Sequence, residues 1–248
     1  MSEIKQYIEK SREIIENIAA QEKQIEHAAS LFAKTILAGR MVHVFGSGHS
    51  RIMVEEMWPR YGSFPGFNPI VELSLTFHNL VVGANGQRQA MFLENVSGLA
   101  ERILRNYQLS TEDSALVISS SGTNIVPVEI AELFQQKGIH VVSIITKSHS
   151  EASKSKRSDG KKLSDFSDIV LDTCAPVGDA MIQIENLETP VSPGSTLGGV
   201  VLINSIKAKV ASLLTKAGHP PTVLSAANKV GEQQAIALFE KAYDEHAS

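Results

Sequence analysis

Residues Ala115–Asn124 read ALVISSSGTN, an apolar run of strand-forming residues that stops in three serines, a glycine, a threonine and an asparagine. Val126–Gly138 (VPVEIAELFQQKG) follows with the apolar spacing of a helix and a terminal glycine, so the pattern predicts a strand, a tight polar turn and a helix. Such a turn gathers hydroxyls and unpaired backbone N–H groups at the positive end of a helix dipole, which suits a phosphate held by neutral donors instead of lysines. Taken alone, a Ser-Ser-Ser-Gly turn serves equally well as a helix cap. A second loop of the same kind shifts the balance toward a ligand.

That second loop is Gly46-Ser47-Gly48-His49-Ser50, between the strand-like Met41–Phe45 (MVHVF) and a helix predicted over Ile52–Arg60. Its glycines let the backbone approach an anion, and Ser50 sits where the helix begins. A dinucleotide fingerprint fails because Arg51 takes the third glycine position, and neither a Walker lysine motif nor a Gly-x-Ser-x-Gly elbow occurs. The helical step of about 100° per residue puts His49, Ile52, Met53, Glu56 and Met57 on one side and Arg51, Glu55 and Trp58 on the other. Glu55 is expected to pair with Arg51, four residues back.

Further strands are predicted at Ile70–Leu73, His140–Thr146 (HVVSIIT) and Asp168–Thr173 (DIVLDT), with a helix over Asn95–Leu109. Strand–helix alternation implies a parallel sheet with helices on both faces. Residues 1–38 lack proline and glycine and carry Ile4, Ile8, Ile15, Ile18, Ile25, Ala29, Phe32 and Ile36 at helical spacing. They read as one long amphipathic helix, or two in tandem, which needs a surface to lie on, either its own domain or, the reading favoured here, a second subunit. The lysine- and serine-rich stretch 150–165 reads as a solvated loop with a short helix. Ser192-Pro193 reads as the cap and first residue of a helix that runs from Ser195 to Leu214 and is apolar on nearly every side, hence buried. His219-Pro220-Pro221 opens an extended link to a last amphipathic helix, Val230–Tyr243.

With 248 residues, 43% hydrophobic and 20% charged, the chain can bury a large core. The expected organisation is one domain over 1–248, with a helical extension (1–38), a core (39–215) and a C-terminal link and helix (216–248). A net charge of −4 argues against non-specific nucleic-acid binding, and no apolar run is read as approaching the ~20 residues that cross a membrane. A single cysteine, Cys174, excludes an internal disulfide and points to the cytoplasm; a packed thiol is expected there.

The two loops together resemble those of the sugar isomerase (SIS) domain family: Gly46–Ser50 looks like its first loop and Ser119–Asn124 like its Ser-x-Ser-Gly-x-Thr loop. Pro190–Asn204 (PVSPGSTLGGVVLIN) resembles the helix that closes the site in its phosphosugar isomerases. The likeness spans roughly residues 35 to 215 and leans toward a bacterial branch labelled phosphoheptose isomerase. It implies a three-layer α/β/α sandwich with a five-stranded parallel sheet of flavodoxin type, a homodimer or homotetramer, and a phosphorylated sugar as ligand. By motif position Ser50, Ser119, Ser121 and the amides around Gly122 carry over as phosphate contacts, joined by Ser47, Gly48, His49, Ser120, Thr123 and Asn124 of the same loops. Asn124 stands where the family generally has Thr or Ser; its amide can still donate to phosphate.

The resemblance also implies a carboxylate base, because aldose–ketose isomerisation moves a proton between neighbouring carbons through an enediolate. Phosphoheptose isomerases and related etherases place a glutamate about ten residues after the loop serine, where this chain has Arg60. Glucosamine-phosphate synthases and hexulose-phosphate isomerases use a glutamate shortly before the closing helix, a place filled here by Glu185 or Glu188. The expected base is Glu56 or Glu188, with a pKa raised by partial burial; Glu185, His78 and His219 follow. No cofactor and no metal ligand set is assigned. The function expected is a sugar-phosphate isomerase, with a phosphosugar lyase or etherase and a non-catalytic phosphosugar-binding module as alternatives; no DNA-binding helix-turn-helix is attached.

Overall fold

The computed structural model describes residues 1–76 and 86–247; His78 lies outside the described residues. In chain order the first half runs α1 (Glu3–Ala19), α2 (Glu22–Leu37), β1 (Val42–Gly46), α3 (Arg51–Met57), β2 (Phe67–Ile70), α4 (Leu73–Thr76), α5 (Gly86–Leu93) and α6 (Leu99–Leu104). The second half runs β3 (Ser114–Ile118), α7 (Ile125–Gln136), β4 (His140–Ile145), α8 (Lys147–Ala152), β5 (Ile169–Asp172), β6 (Ala180–Ile182), β7 (Val191–Pro193), α9 (Ser195–Lys216), α10 (Ala227–Val230) and α11 (Glu232–Ala247).

Strands β1–β5 form one five-stranded parallel sheet in the order β2-β1-β3-β4-β5. Successive strand residues point to opposite faces, and both faces are covered. Val42, Val44, Leu116, Ile118, Val142, Ile144 and Leu171 pack with α1, α2, α3 and α9. Ala115, Val117, Val141 and Ile145 pack with α6 and α7 on the other side. The result is the three-layer flavodoxin-like sandwich expected from the alternation.

The N-terminal segment is two helices in tandem, broken at Ala20-Gln21. The break has a reason in the sheet: the Gln21 side chain donates to the Asp172 carbonyl at 2.8 Å and accepts from the Asp172 N–H at 2.8 Å, so one amide supplies the missing neighbour of edge strand β5. β2 lies three residues before the expected Ile70–Leu73, with Pro69 inside it. An edge strand tolerates that proline because only one side of it is paired. α6 is shorter than expected because Gly98 takes φ 84 and, with Ser97, donates to the Glu129 carboxylate, which delays the helix start to Leu99.

The expected Ser192-Pro193 cap is overturned. Both residues belong to β7, Ser192 has a left-handed φ of 66, and β6 and β7 form an antiparallel hairpin. α9 is capped instead by Asp179, whose carboxylate accepts the N–H groups of Gly194 (3.0 Å) and Ser195 (2.6 Å) and the Ser195 hydroxyl (2.8 Å). By length and composition α9 could cross a membrane. Its Leu202, Ile203, Ile206, Val210 and Leu214 are buried in the core instead, and its buried Lys207 donates to the Glu56 carbonyl at 2.7 Å.

Candidate functional site

β1 and β3 are neighbours whose onward connections diverge, one toward β2 and the other toward β4, which opens a crevice at their carboxyl ends. Gly46 lies opposite Ile118 in the register, so the two hydroxyl-rich loops leave the sheet side by side. They open into one cavity of ≈400 Å³. A side chain at Gly46 would meet the Ser50 backbone at 2.8 Å, so this glycine is required by the tightness of the first loop.

Eight of the ten expected contact residues line the cavity: Ser47, Gly48, His49, Ser50, Ser119, Ser120, Ser121 and Asn124. Gly122 and Thr123 do not, because both are turned into the loop. The Gly122 N–H is donated to the Ser119 carbonyl (3.1 Å) and hydroxyl (3.2 Å), while Thr123 is buried and donates both N–H and hydroxyl to Ser121 Oγ. The Gly122 N–H is thus used inside the loop, and its left-handed φ of 61° belongs to that turn. The same bonds fix the serines. Ser121 Oγ accepts twice from Thr123, which leaves its own proton free to be donated outward. Ser120 Oγ pairs at 3.1 Å with Thr146 Oγ1, itself 2.7 Å from Thr173 Oγ1, and so faces the sheet. The N–H groups of Ser120 and Ser121 have no hydrogen-bond partner among the described residues.

The lysine-rich stretch braces this loop from behind. Leu163 N–H donates to the Gly122 carbonyl and Lys156 N–H to that of Thr123. Lys156 Nζ donates to Asn124 Oδ1 at 2.6 Å. Since an ammonium only donates, the Asn124 carbonyl must face the lysine and its NH₂ is left for another acceptor.

Neither expected base lines the cavity. Glu56 lies on α3 toward α9, where its carboxylate accepts from Arg60 at 2.8 Å and Asn204 at 3.1 Å and lies 3.7 Å from Lys207 Nζ. Burial pushes its pKa up, but the hydrogen bonds from Asn204 and Arg60 and the charge of Lys207 outweigh it, so the carboxyl is held below its ordinary range. That reverses the expected rise. Glu188 and Glu185 are exposed on the turn between β6 and β7. His219 borders a different cavity with Arg40 and Met41, residues that precede β1, at the opposite end of the sheet. Arg51 and Glu55 form the expected pair, at 2.9 Å. Cys174 has its thiol pushed up to about 11 by burial and by the charge of Asp172, an inert setting.

The carboxylates that do line the cavity are Glu94 and Asp179. Glu94 follows α5 and is tied to both loops: its side chain accepts the Ser47 hydroxyl at 2.8 Å, and its carbonyl accepts the Val126 N–H at the start of α7 at 2.9 Å. His149 of α8 also lines the cavity, and its Nδ1 accepts the Gly178 N–H at 3.0 Å. No motif marks Glu94, a lone acid at the end of a short mixed helix. His149 and Thr173 did carry a signal, since each follows a parallel strand at its carboxyl end, where such sheets place their ligand residues.

The sheet order and the crevice define a doubly wound α/β protein with its polar cleft at the switch point of the strands. The chain belongs to the SIS domain family, whose sequence profile matches residues 6–146. It is 34% identical over 242 residues to the UPF0309 protein of Thermoanaerobacter pseudethanolicus, covering 95% of this chain and 96% of that one. The UPF0309 protein of Listeria innocua is 31% identical over 240 residues, 96% of this chain and 95% of its own. Among solved structures, the phosphoheptose isomerase of Francisella tularensis superposes with a TM-score of 0.53 at 16% identity, over 86% of this chain and 100% of that one. The phosphoheptose isomerase of Neisseria gonorrhoeae gives 0.52 at 13%, over 84% and 97%. At these identities the likeness is one of fold.

Proposed function

We propose that the chain is a sugar-phosphate isomerase that holds the phosphate between its two hydroxyl-rich loops and uses Glu94 to move the proton. The observation that carries this reading is the convergence of both loops and one positioned carboxylate on a single ≈400 Å³ cavity, a size that suits a small ligand. Ser50, Ser119, Ser121, the Asn124 amide and the free N–H groups of Ser120 and Ser121 act as phosphate donors, aided by the N-terminus of α7. Glu94 takes the proton next to the carbonyl and returns it to the neighbouring carbon, while the Ser47 hydroxyl fixes the orientation of the carboxylate. A lyase begins with the same abstraction and then expels a substituent. We further read residues 1–248 as one domain acting in the cytoplasm as a homodimer or homotetramer.

The test is exchange of substrate hydrogen with solvent deuterium, followed by NMR on each sugar phosphate that the protein binds. Wild type is expected to exchange the proton next to the carbonyl, and Glu94→Gln to bind without exchanging it. Binding with no exchange in wild type would replace this reading with that of a phosphosugar-binding module.

A further inference from the structure

We infer that Thr146, which does not line the cavity, is a positioning residue for the anion seat: with Thr173 it forms a hydroxyl relay that holds Ser120 as a donor toward the ligand. This inference rests on the phosphate seat proposed above and concerns what stands behind its wall. Ser120, Thr146 and Thr173 follow β3, β4 and β5, so their hydroxyls meet across three neighbouring strand ends. Ser120 Oγ lies 3.1 Å from Thr146 Oγ1, which lies 2.7 Å from Thr173 Oγ1. Ser120 and Thr173 line the cavity, and both threonines are buried. Backbone bonds fix the spacing: the Thr146 N–H donates to the Ser120 carbonyl at 2.9 Å and the Thr173 N–H to the Ile145 carbonyl at 2.8 Å. Thr146 also stands at the N-cap of α8, where a threonine hydroxyl ordinarily accepts from the helix, yet it makes no such bond. Its hydroxyl is committed to the relay instead.

A hydroxyl has one proton to donate, and that gives the relay a direction. When Ser120 donates to an anion, Thr146 must donate to Ser120 and Thr173 to Thr146, so Thr173 offers the cavity only lone pairs. In the opposite sense Thr173 donates into the cavity, and Ser120 has only lone pairs for an anion. An anion on the loop after β3 therefore selects the first sense. Hydroxyls donating in series polarise one another, which strengthens the last donor, Ser120.

Calorimetric titration with inorganic phosphate tests the relay in variants of the full chain. Thr146→Val, which keeps the shape and removes the middle hydroxyl, is expected to weaken binding about three- to tenfold, and Thr146→Ser to retain most of the wild-type affinity. Thr173→Val should weaken binding on its own and have no further effect beside Thr146→Val, because a relay cut in the middle gains nothing from its far end. If Thr146→Val does not fold, Ser120→Ala and Thr173→Val replace it; these two residues share no hydrogen bond, and the relay predicts that their effects are non-additive. Additive effects in either pair would overturn the relay. So would Thr146→Val binding phosphate as tightly as wild type with only its thermal stability lowered, the result of a merely structural threonine; the seat itself would stand. Failure of wild type to bind inorganic phosphate or any sugar phosphate would overturn the seat, and this inference with it.

Discussion

Glu94 and Glu56 are both acids near the first loop in the fold, and their surroundings differ. Glu94 faces the cavity with a hydroxyl donor, whereas Glu56 is clamped by Arg60, Asn204 and Lys207 between α3 and α9. Glu56→Gln is expected to lower stability by about 1–3 kcal/mol in denaturant titration, because it leaves Lys207 buried with less compensation, while deuterium exchange persists. Loss of exchange with unchanged stability would reverse the two assignments. A second residue-scale prediction concerns pH. Burial holds the His43 pKa down despite its 3.1 Å contact with Asp113, and Asp113 is held down by bonds from Arg40, Ser110 and His43 that outweigh its own burial. For both groups the unfolded chain binds protons more readily, so acid favours unfolding. The His43 contribution fades as pH falls through its unfolded value, about 6.5, and that of Asp113 as pH falls through its lowered folded value. Stability should therefore drop from about pH 7.5 to 5.5, and His43→Gln should flatten the slope there; an unchanged slope would remove His43 from the account.

At the scale of elements, the start of α9 decides the shape of the cavity floor. A Cβ at Gly198 would lie 2.1 Å from the Thr173 carbonyl, so α9 can approach the end of β5 only with glycine at this position. Gly198→Ala should cost about 1–3 kcal/mol or more in chemical denaturation and weaken ligand binding, since Thr173, Ser195 and Thr196 line the cavity. A variant with normal stability and binding would mean that this contact does not set the wall. Element boundaries of this kind separate what could be read in the sequence from what could not. The strand-turn-helix units at Val42–Met57 and Ser114–Gln136 announced themselves through local composition, as did the parallel order they imply. The β6–β7 hairpin and the Asp179 cap did not, because the residues that create them, Asp179 and Ser192–Ser195, meet only across a folded loop. The hydroxyl-rich loops were legible for a similar local reason, yet the inward turn of Gly122 and Thr123 depends on bonds from Leu163 and Lys156 of the next βα unit. Glu94 was hidden for want of any spacing rule that links an acid after α5 to Ser47 in the loop after β1.

For the whole molecule, α1 presents a divided surface. Ile14 and Ile18 are buried against the core, while Ile4, Ile8 and Ile15 remain 74%, 44% and 45% exposed along the same helix. An apolar stripe of this kind suits self-association, which we propose for this helix. Light scattering should return the mass of a dimer or tetramer, and Ile8→Glu with Ile15→Glu should reduce it; a monomeric wild type would contradict this. This molecule is expected to seat a phosphate between the loops after β1 and β3. Calorimetric titration of wild type and Ser121→Ala with the best-bound sugar monophosphate tests it most directly. Removing that outward-facing hydroxyl should weaken binding by about 1–3 kcal/mol, with the fold unchanged by circular dichroism. Equal affinity in the two proteins would take the Ser119–Asn124 loop out of the site and contradict the account.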